Sequence, residues 1–179
     1  MTPGSPPATW PVSALPPPGA RDRAWPGRWP LRTQLELAAL DTAPGSARAH
    51  VCAVLREWQA SQDTADVAAL IVTELLTNAV ETTRAHGLHD PVRLWMLGER
   101  ASVLFLIWDA TVPAPVLRDA TPDAERGRGL TVVNDLSERW GYYHPDEQPY
   151  GKVVWSLMRA ESQPAQHPAV APAWAQGKP

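Results

Sequence analysis

The chain has 179 residues, 44% hydrophobic and 20% charged, which fits one ordinary domain with extensions. A net charge of -3 and a pI near 5.9 give no electrostatic case for nucleic acid or an anionic membrane as partner. The single Cys52 excludes an internal disulfide framework and suits a reducing cytoplasm, and no apolar run approaches the ~20 residues of a membrane span.

Residues 1–30 are proline-rich, densest at Pro16-Pro17-Pro18, and lack both periodicity and the apolar core of a secretory signal. They read as a disordered extension. Trp10, Trp25 and Trp29 are unusual there; the plainer reading makes them incidental, the sharper one makes them docking anchors. A compact region follows from 31 to 158. Leu35, Leu37 and Ala39 alternate within a first strand over Leu31 to Leu40. After a turn containing Pro44-Gly45, Ser46 is expected to cap a helix through Trp58, with Ala47, Val51, Leu55 and Trp58 on its apolar face. Asp63 or Thr64 starts a second helix that runs towards Ala85 and stops at Gly87. Two β-rich runs, Val92 to Leu97 and Ser102 to Trp108, flank a hairpin turn at Gly98-Glu99-Arg100. A proline-containing loop, Ala110 to Arg126, leads through Gly127-Arg128-Gly129 to a short helix, Leu130 to Leu136. Strands at Trp140 to His144 and Lys152 to Met158 close the region, joined by a turn from Pro145 to Gly151. The tail, 159–179, is rich in Pro, Ala and Gln and again reads as disordered. Hairpins with helices grouped between them predict an α+β layer: a mixed, mostly antiparallel sheet with helices on one face.

Three polar elements carry chemistry. In the second helix, Glu74 and Asn78 lie roughly 40° apart within an apolar arc drawn by Val67, Leu70, Ile71 and Leu75. A carboxylate can take a hydroxyl proton and a carboxamide oxygen can ligand Mg²⁺, so the pair can serve one site. The competing reading is a polar pair at a helix edge or one satisfied by backbone. Asp109 ends the apolar run Val103 to Trp108 and could accept a hydrogen bond from a ligand's exocyclic amine, or merely start a turn. Glu125-Arg126-Gly127-Arg128-Gly129-Leu130 sets glycines and two arginines before a helix N-terminus, which suits an anion, although a short G-x-G also marks many ordinary loops. Neither a Walker nor a Rossmann glycine motif is present. Taken together, the three elements make up a nucleotide site.

Their residues resemble the ATP-binding domain of the GHKL superfamily, and within it the anti-sigma-factor serine/threonine kinase branch. The matching pieces are Glu74-Leu75-Leu76-Thr77-Asn78-Ala79, Trp108-Asp109, Gly127-Arg128-Gly129-Leu130, Trp140-Gly141 and Gly151-Lys152-Val153-Val154-Trp155. The resemblance covers about Leu31 to Met158 and implies a two-layer Bergerat-type sandwich. It implies ATP and Mg²⁺ as cofactors, with Asn78 holding the metal, Glu74 orienting or deprotonating the attacking hydroxyl, and Asp109 accepting from the adenine amine. Arg126, Gly127, Arg128, Gly129 and Leu130 would belong to the nucleotide site, with Gly127 and Gly129 letting the backbone close over the phosphates. The implied partners are an anti-anti-sigma-type protein and a sigma factor, with room for a homodimer. The chain departs from the pattern in three places: Ala110-Thr111-Val112-Pro113 replaces the glycines after Asp109, Thr82 stands where a basic residue or histidine is usual (with Arg84 or His86 as substitutes), and Val153 stands for a late-strand threonine. A nucleotide-dependent or nucleotide-independent binding module without phosphoryl transfer is therefore the alternative to a kinase.

Overall fold

The computed structural model describes residues 29–99, 101–116, 129–145 and 150–162. In chain order the elements are β1 (Leu31–Leu37), α1 (Ala43–Glu57), α2 (Gln62–Ala85), β2 (Val92–Glu99), β3 (Ser102–Asp109), α3 (Gly129–Leu136), β4 (Arg139–Tyr143) and β5 (Lys152–Arg159). The strands form one sheet in the order β1-β2-β3-β5-β4. Every described pairing is antiparallel. The mixed sheet expected from sequence is thus corrected in detail. The crossover through α3 carries the chain from β3 past one strand position to β4, and β5 then fills the gap. β3 and β4 run the same way, and β5 between them keeps every neighbouring pair antiparallel.

Local chemistry shifts several boundaries. Helix α1 begins at Ala43, not after a Ser46 cap. Pro44 sits in its first turn, where a missing N–H costs nothing, and the Ser46 hydroxyl donates back to the Thr42 carbonyl at 3.2 Å. Helix α2 is capped one or two residues earlier than expected, by Ser61, whose hydroxyl oxygen accepts from the Thr64 N–H at 3.2 Å. The chain leaves α2 at Gly87, as expected. Gly98 and Glu99 belong to β2, because the ladder continues to Glu99↔Ser102; Arg100 lies outside the described residues. The chain after β5 is tied down as far as Ser162, which bridges to Ala60, while the Glu161 carbonyl accepts from the Ser61 N–H at 2.7 Å. Residues 161 and 162 of the expected tail are thus paired with the domain; residues 163–179 lie outside the described residues, as do residues 1–28.

Two apolar clusters flank the sheet. The main core lies between the helices and Val92, Leu94, Met96, Val103, Phe105, Ile107, Val154 and Met158. Alternate residues of the same strands, Leu97, Leu104, Leu106, Trp108, Val153, Trp155 and Leu157, form a second cluster on the other face with Trp29. Strands β3 and β5 are buried on both faces, which explains their unbroken apolar runs. Trp29, read as incidental from sequence, is buried, 6% exposed. No described helix is long and apolar enough to cross a membrane.

Candidate functional site

Helix α2 positions the first pair. Its buried stripe runs through Ala65, Ala68, Ile71, Val72, Leu75, Leu76, Ala79 and Thr83. Leu70 is exposed and Val67 half-buried, so the arc drawn from sequence was rotated. At about 100° per residue, Glu74 and Asn78 lie on the flank of the true stripe, not within it. Both are half-buried, as residues at the edge of a core are. None of the described hydrogen bonds or ion pairs occupies the Glu74 carboxylate or the Asn78 carboxamide.

Helix length places them along the sheet. The start of α2 is bonded to Glu161, just beyond the end of β5. Seventeen residues on, at 1.5 Å each, Asn78 has advanced about 25 Å, and the seven steps of β5 from Arg159 back to Lys152 span about 23 Å. Asn78 therefore arrives at the end of the sheet where β3 finishes in Asp109 and β5 begins with Lys152.

Those two residues are cross-strand partners, and both point to the helix side of the sheet, being in phase with Ile107 and Val154 of the main core. The Lys152 ammonium donates to Asp109 Oδ1 at 2.8 Å, with both side chains essentially inaccessible. Asp109 Oδ1 also accepts from the Thr111 N–H at 2.9 Å and from the Thr111 hydroxyl, which in turn accepts from Lys152. Oδ1 is thus held by three donors. Asp109 Oδ2 has none. The other described buried side-chain atoms without a partner are Thr83 Oγ1 on α2 and Trp108 Nε1, the latter on the far face of the sheet. A buried polar atom without a partner costs about 1–3 kcal/mol, so the bare Oδ2 calls for a donor.

Helix α3 borders the site from the other side. It packs on α2, and its first residue, Gly129, approaches Glu74 so closely that a Cβ there would lie 2.5 Å from Glu74 Oε2. Leu130 is buried in the main core, which anchors the start of the helix. Arg126, Gly127 and Arg128 lie outside the described residues. Gly151, at φ +95°, turns the chain into β5; a Cβ there would lie 2.6 Å from Trp108 Nε1 and 2.7 Å from the Asp109 carbonyl oxygen.

The structure therefore brings together Glu74, Asn78 and Gly129 on one side and sets Asp109 at the same end of the sheet. Of the suggested substitutes, Arg84 pairs with exposed Asp41, and His86 Nδ1 is bonded to the Thr82 carbonyl. Thr82 itself donates to the Asn78 carbonyl at 2.6 Å, a bond internal to the helix. Val153 belongs to the second cluster on the far face. Lys152 is the β5 residue that faces the site, and sequence reasoning missed it. Its one signal was that only two lysines, Lys152 and Lys178, occur in the chain, and that Lys152 opens an apolar strand.

These donors fit a nucleotide with its metal. The orphan Oδ2 of Asp109 calls for a hydrogen-bond donor, and Gly129 leaves the Glu74 carboxylate the place that a side chain at 129 would take. Among the described residues no three His, Cys, Asp or Glu side chains gather to hold a metal by themselves. A single carboxamide such as Asn78 suits Mg²⁺, which takes most of its ligands from phosphate and water.

Residues 37–156 match the family of the histidine kinase-like ATPase domain. Among solved structures, the chain is similar to the RsbU and RsbW domains of Rv1364c from Mycobacterium tuberculosis, at 19% identity and a TM-score of 0.55. That likeness covers 75% of this chain and 34% of the other, so the chain spans about a third of that protein, and it concerns the fold alone. No curated protein matches.

Proposed function

The chain belongs to the histidine kinase-like ATPase domain family, and from that premise we propose that it is an ATP-binding regulatory protein, a Mg²⁺-dependent serine/threonine kinase of the anti-sigma-factor type. Its substrate is an anti-anti-sigma-type protein, and a sigma factor is the partner it sequesters. The likeness to a structure that includes an RsbW domain favours this branch, as do the motifs around Glu74, Asn78 and Gly129. The observation that carries the reading is the pairing of a free carboxylate and a free carboxamide, four residues apart on α2, with a glycine of α3 beside the carboxylate.

The residues divide the work. Asn78 offers its carboxamide oxygen to Mg²⁺, which when bound neutralises charge on the transferring phosphoryl group. Glu74 holds the attacking serine or threonine hydroxyl and accepts its proton as the new O–P bond forms and the bond to the leaving ADP oxygen breaks. Asp109 Oδ2 accepts from the amine of adenine. Gly129 leaves the Glu74 carboxylate its place. Catalysis of this kind is mainly positioning and charge neutralisation, which explains why so few titratable groups are needed.

A second reading, a nucleotide-binding regulator without transfer, is favoured by the segment after Asp109. Ala110 and Thr111 are both buried, and Thr111 is committed to Asp109 and Lys152, where the family pattern has glycines. Calorimetric titration of Mg²⁺-ATP and transfer from labelled ATP to candidate regulators separate the two. Asn78→Ala is expected to abolish Mg²⁺-ATP binding; unchanged affinity would sink the metal assignment. Glu74→Ala is expected to keep binding and lose transfer. A wild-type chain that binds ATP yet labels no regulator is the non-catalytic module.

A further inference from the structure

At the end of the domain opposite Asn78 and Asp109, the sheet and α1 border a groove of about 490 Å³, a size that takes ligands. Its walls are Leu31 at the start of β1, Leu55 and Trp58 at the end of α1, and Val103 near the start of β3. A missing side chain makes room for Trp58. A Cβ on Gly98 would lie 2.7 Å from the indole ring, so the ring rests on the bare backbone of β2. The next residue, Gln59, has φ 59°, a conformation that favours glycine. It closes α1, with the Gln59 N–H donating to the Arg56 carbonyl at 3.1 Å and the Ala60 N–H to the Leu55 carbonyl at 2.9 Å. Backbone strain of this kind gathers at ligand clamps, and here it falls between Trp58 and Ala60, which both line the groove.

The groove carries charge of one sign. Glu99, last in β2, and Glu161, just beyond β5, line it, and among the described residues no lysine or arginine does. Nearby Arg159 is in phase with Leu157 of the far face and pairs with Glu138 at 3.8 Å. None of the described hydrogen bonds or ion pairs takes the Glu161 carboxylate, while the Glu161 backbone is tied to Ser61 and Thr64 of the α2 start. The mouth is open to solvent: Leu31 is 37% exposed, and Glu161 and Ser162 are exposed too. An apolar hollow beside a carboxylate on anchored backbone suits an apolar side chain with a cation next to it. We propose that this groove docks a basic segment of a protein partner. One large apolar side chain of that segment seats against Trp58, and an adjacent arginine or lysine pairs with Glu161. The groove lies about 25 Å along α2 from Asn78, so the inference does not rest on the nucleotide-binding reading and leaves that end of the domain free.

The test is fluorescence polarisation with short labelled peptides, each holding one leucine, phenylalanine or tryptophan in a serine-glycine background. Three sets flank that residue with arginines, glutamines or glutamates. Each set is titrated with the full chain as wild type, Leu31→Trp and Glu161→Lys, with urea unfolding of each as a check on folding. The arginine set is expected to bind the wild type, the glutamine set about tenfold more weakly, and the glutamate set more weakly still. Leu31→Trp fills the hollow from an exposed position and removes binding of every set. Glu161→Lys lowers affinity for the arginine set about tenfold and raises that for the glutamate set above it. An arginine set that does not bind the wild type, three sets that bind it equally, or affinities unchanged in both variants overturns the proposal. Self-association of the wild type that Leu31→Trp abolishes, read by sedimentation, assigns the groove to a second copy of the chain and overturns it too. Mg²⁺-ATP affinity enters none of these outcomes, so failure here is distinct from failure of the nucleotide site.

Discussion

Gly129 and Glu74 show how little space separates a working carboxylate from a displaced one. A methyl group at position 129 would stand 2.5 Å from Oε2, the far end of a flexible side chain. The carboxylate can rotate away at small cost, so the fold survives, but it leaves the position that faces an attacking hydroxyl. Gly129→Ala is therefore expected to reduce transfer on the order of 10²-fold, the scale of an ångström's misplacement, while changing ATP affinity far less. Steady-state kinetics read this directly: kcat falls and the nucleotide KM holds. An equal loss in both would mean that Gly129 serves nucleotide binding and not the placement of Glu74. The same pair measures what sequence could reveal at this scale. Glu74 and Asn78 were visible because they are polar residues four apart near an apolar stripe. The stripe itself was misplaced by counting Leu70, which is 45% exposed, as a core residue. Lys152 was invisible for another reason. Its meaning comes from Asp109, 43 residues away, and no local pattern carries a contact made by strand pairing.

At the scale of elements, periodicity found each helix and strand, and chain-local chemistry placed the ends where it was read correctly. Gly87 at φ +67° does end α2. Proline as a turn marker predicts a cap at Ser46, whereas Pro44 is at home in the first turn of α1. The all-antiparallel order was beyond local reading, since it depends on β5 inserting between β3 and β4. Strand β4, at the sheet edge beside β5, carries a consequence for pH. Burial pushes the Tyr143 hydroxyl well above the usual tyrosine range. The unfolded chain releases that proton near pH 10 and the folded chain holds it, so above about pH 10 the unfolded state is favoured increasingly as pH rises. The contribution is fully present below that value and lost above it. Urea midpoints measured from pH 9 to 11 should fall, and Tyr143→Phe should flatten the part of that fall due to this residue. An unchanged slope in the variant would show that the hydroxyl meets water.

For the whole molecule, the distribution of apolar residues is more informative than their number. All three described helices serve one face of the sheet, yet Leu97, Leu104, Leu106, Trp108, Val153, Trp155 and Leu157 make the opposite face apolar as well. β1, at the other edge, turns exposed or half-exposed Arg32, Gln34 and Glu36 towards that side, as an edge strand protected against pairing would. Trp29 joins the second cluster from just ahead of β1, in a segment whose proline content gave no reason to expect a core residue. Its burial makes it part of the domain. Trp29→Ala removes a large ring from a packed cluster and should cost about 3–5 kcal/mol of unfolding free energy, a large share of the 5–15 kcal/mol of a typical domain. The loss should appear as a lower urea midpoint at constant slope, with Mg²⁺-ATP affinity unchanged because Asp109 lies on the helix side of the sheet. A cost below about 1 kcal/mol would return Trp29 to the extension, for a ring that merely rests on the surface gives up little when removed. A fall in Mg²⁺-ATP affinity would instead mean that the two faces of β3 are coupled, with packing against Trp108 on one side setting the aim of Asp109 on the other.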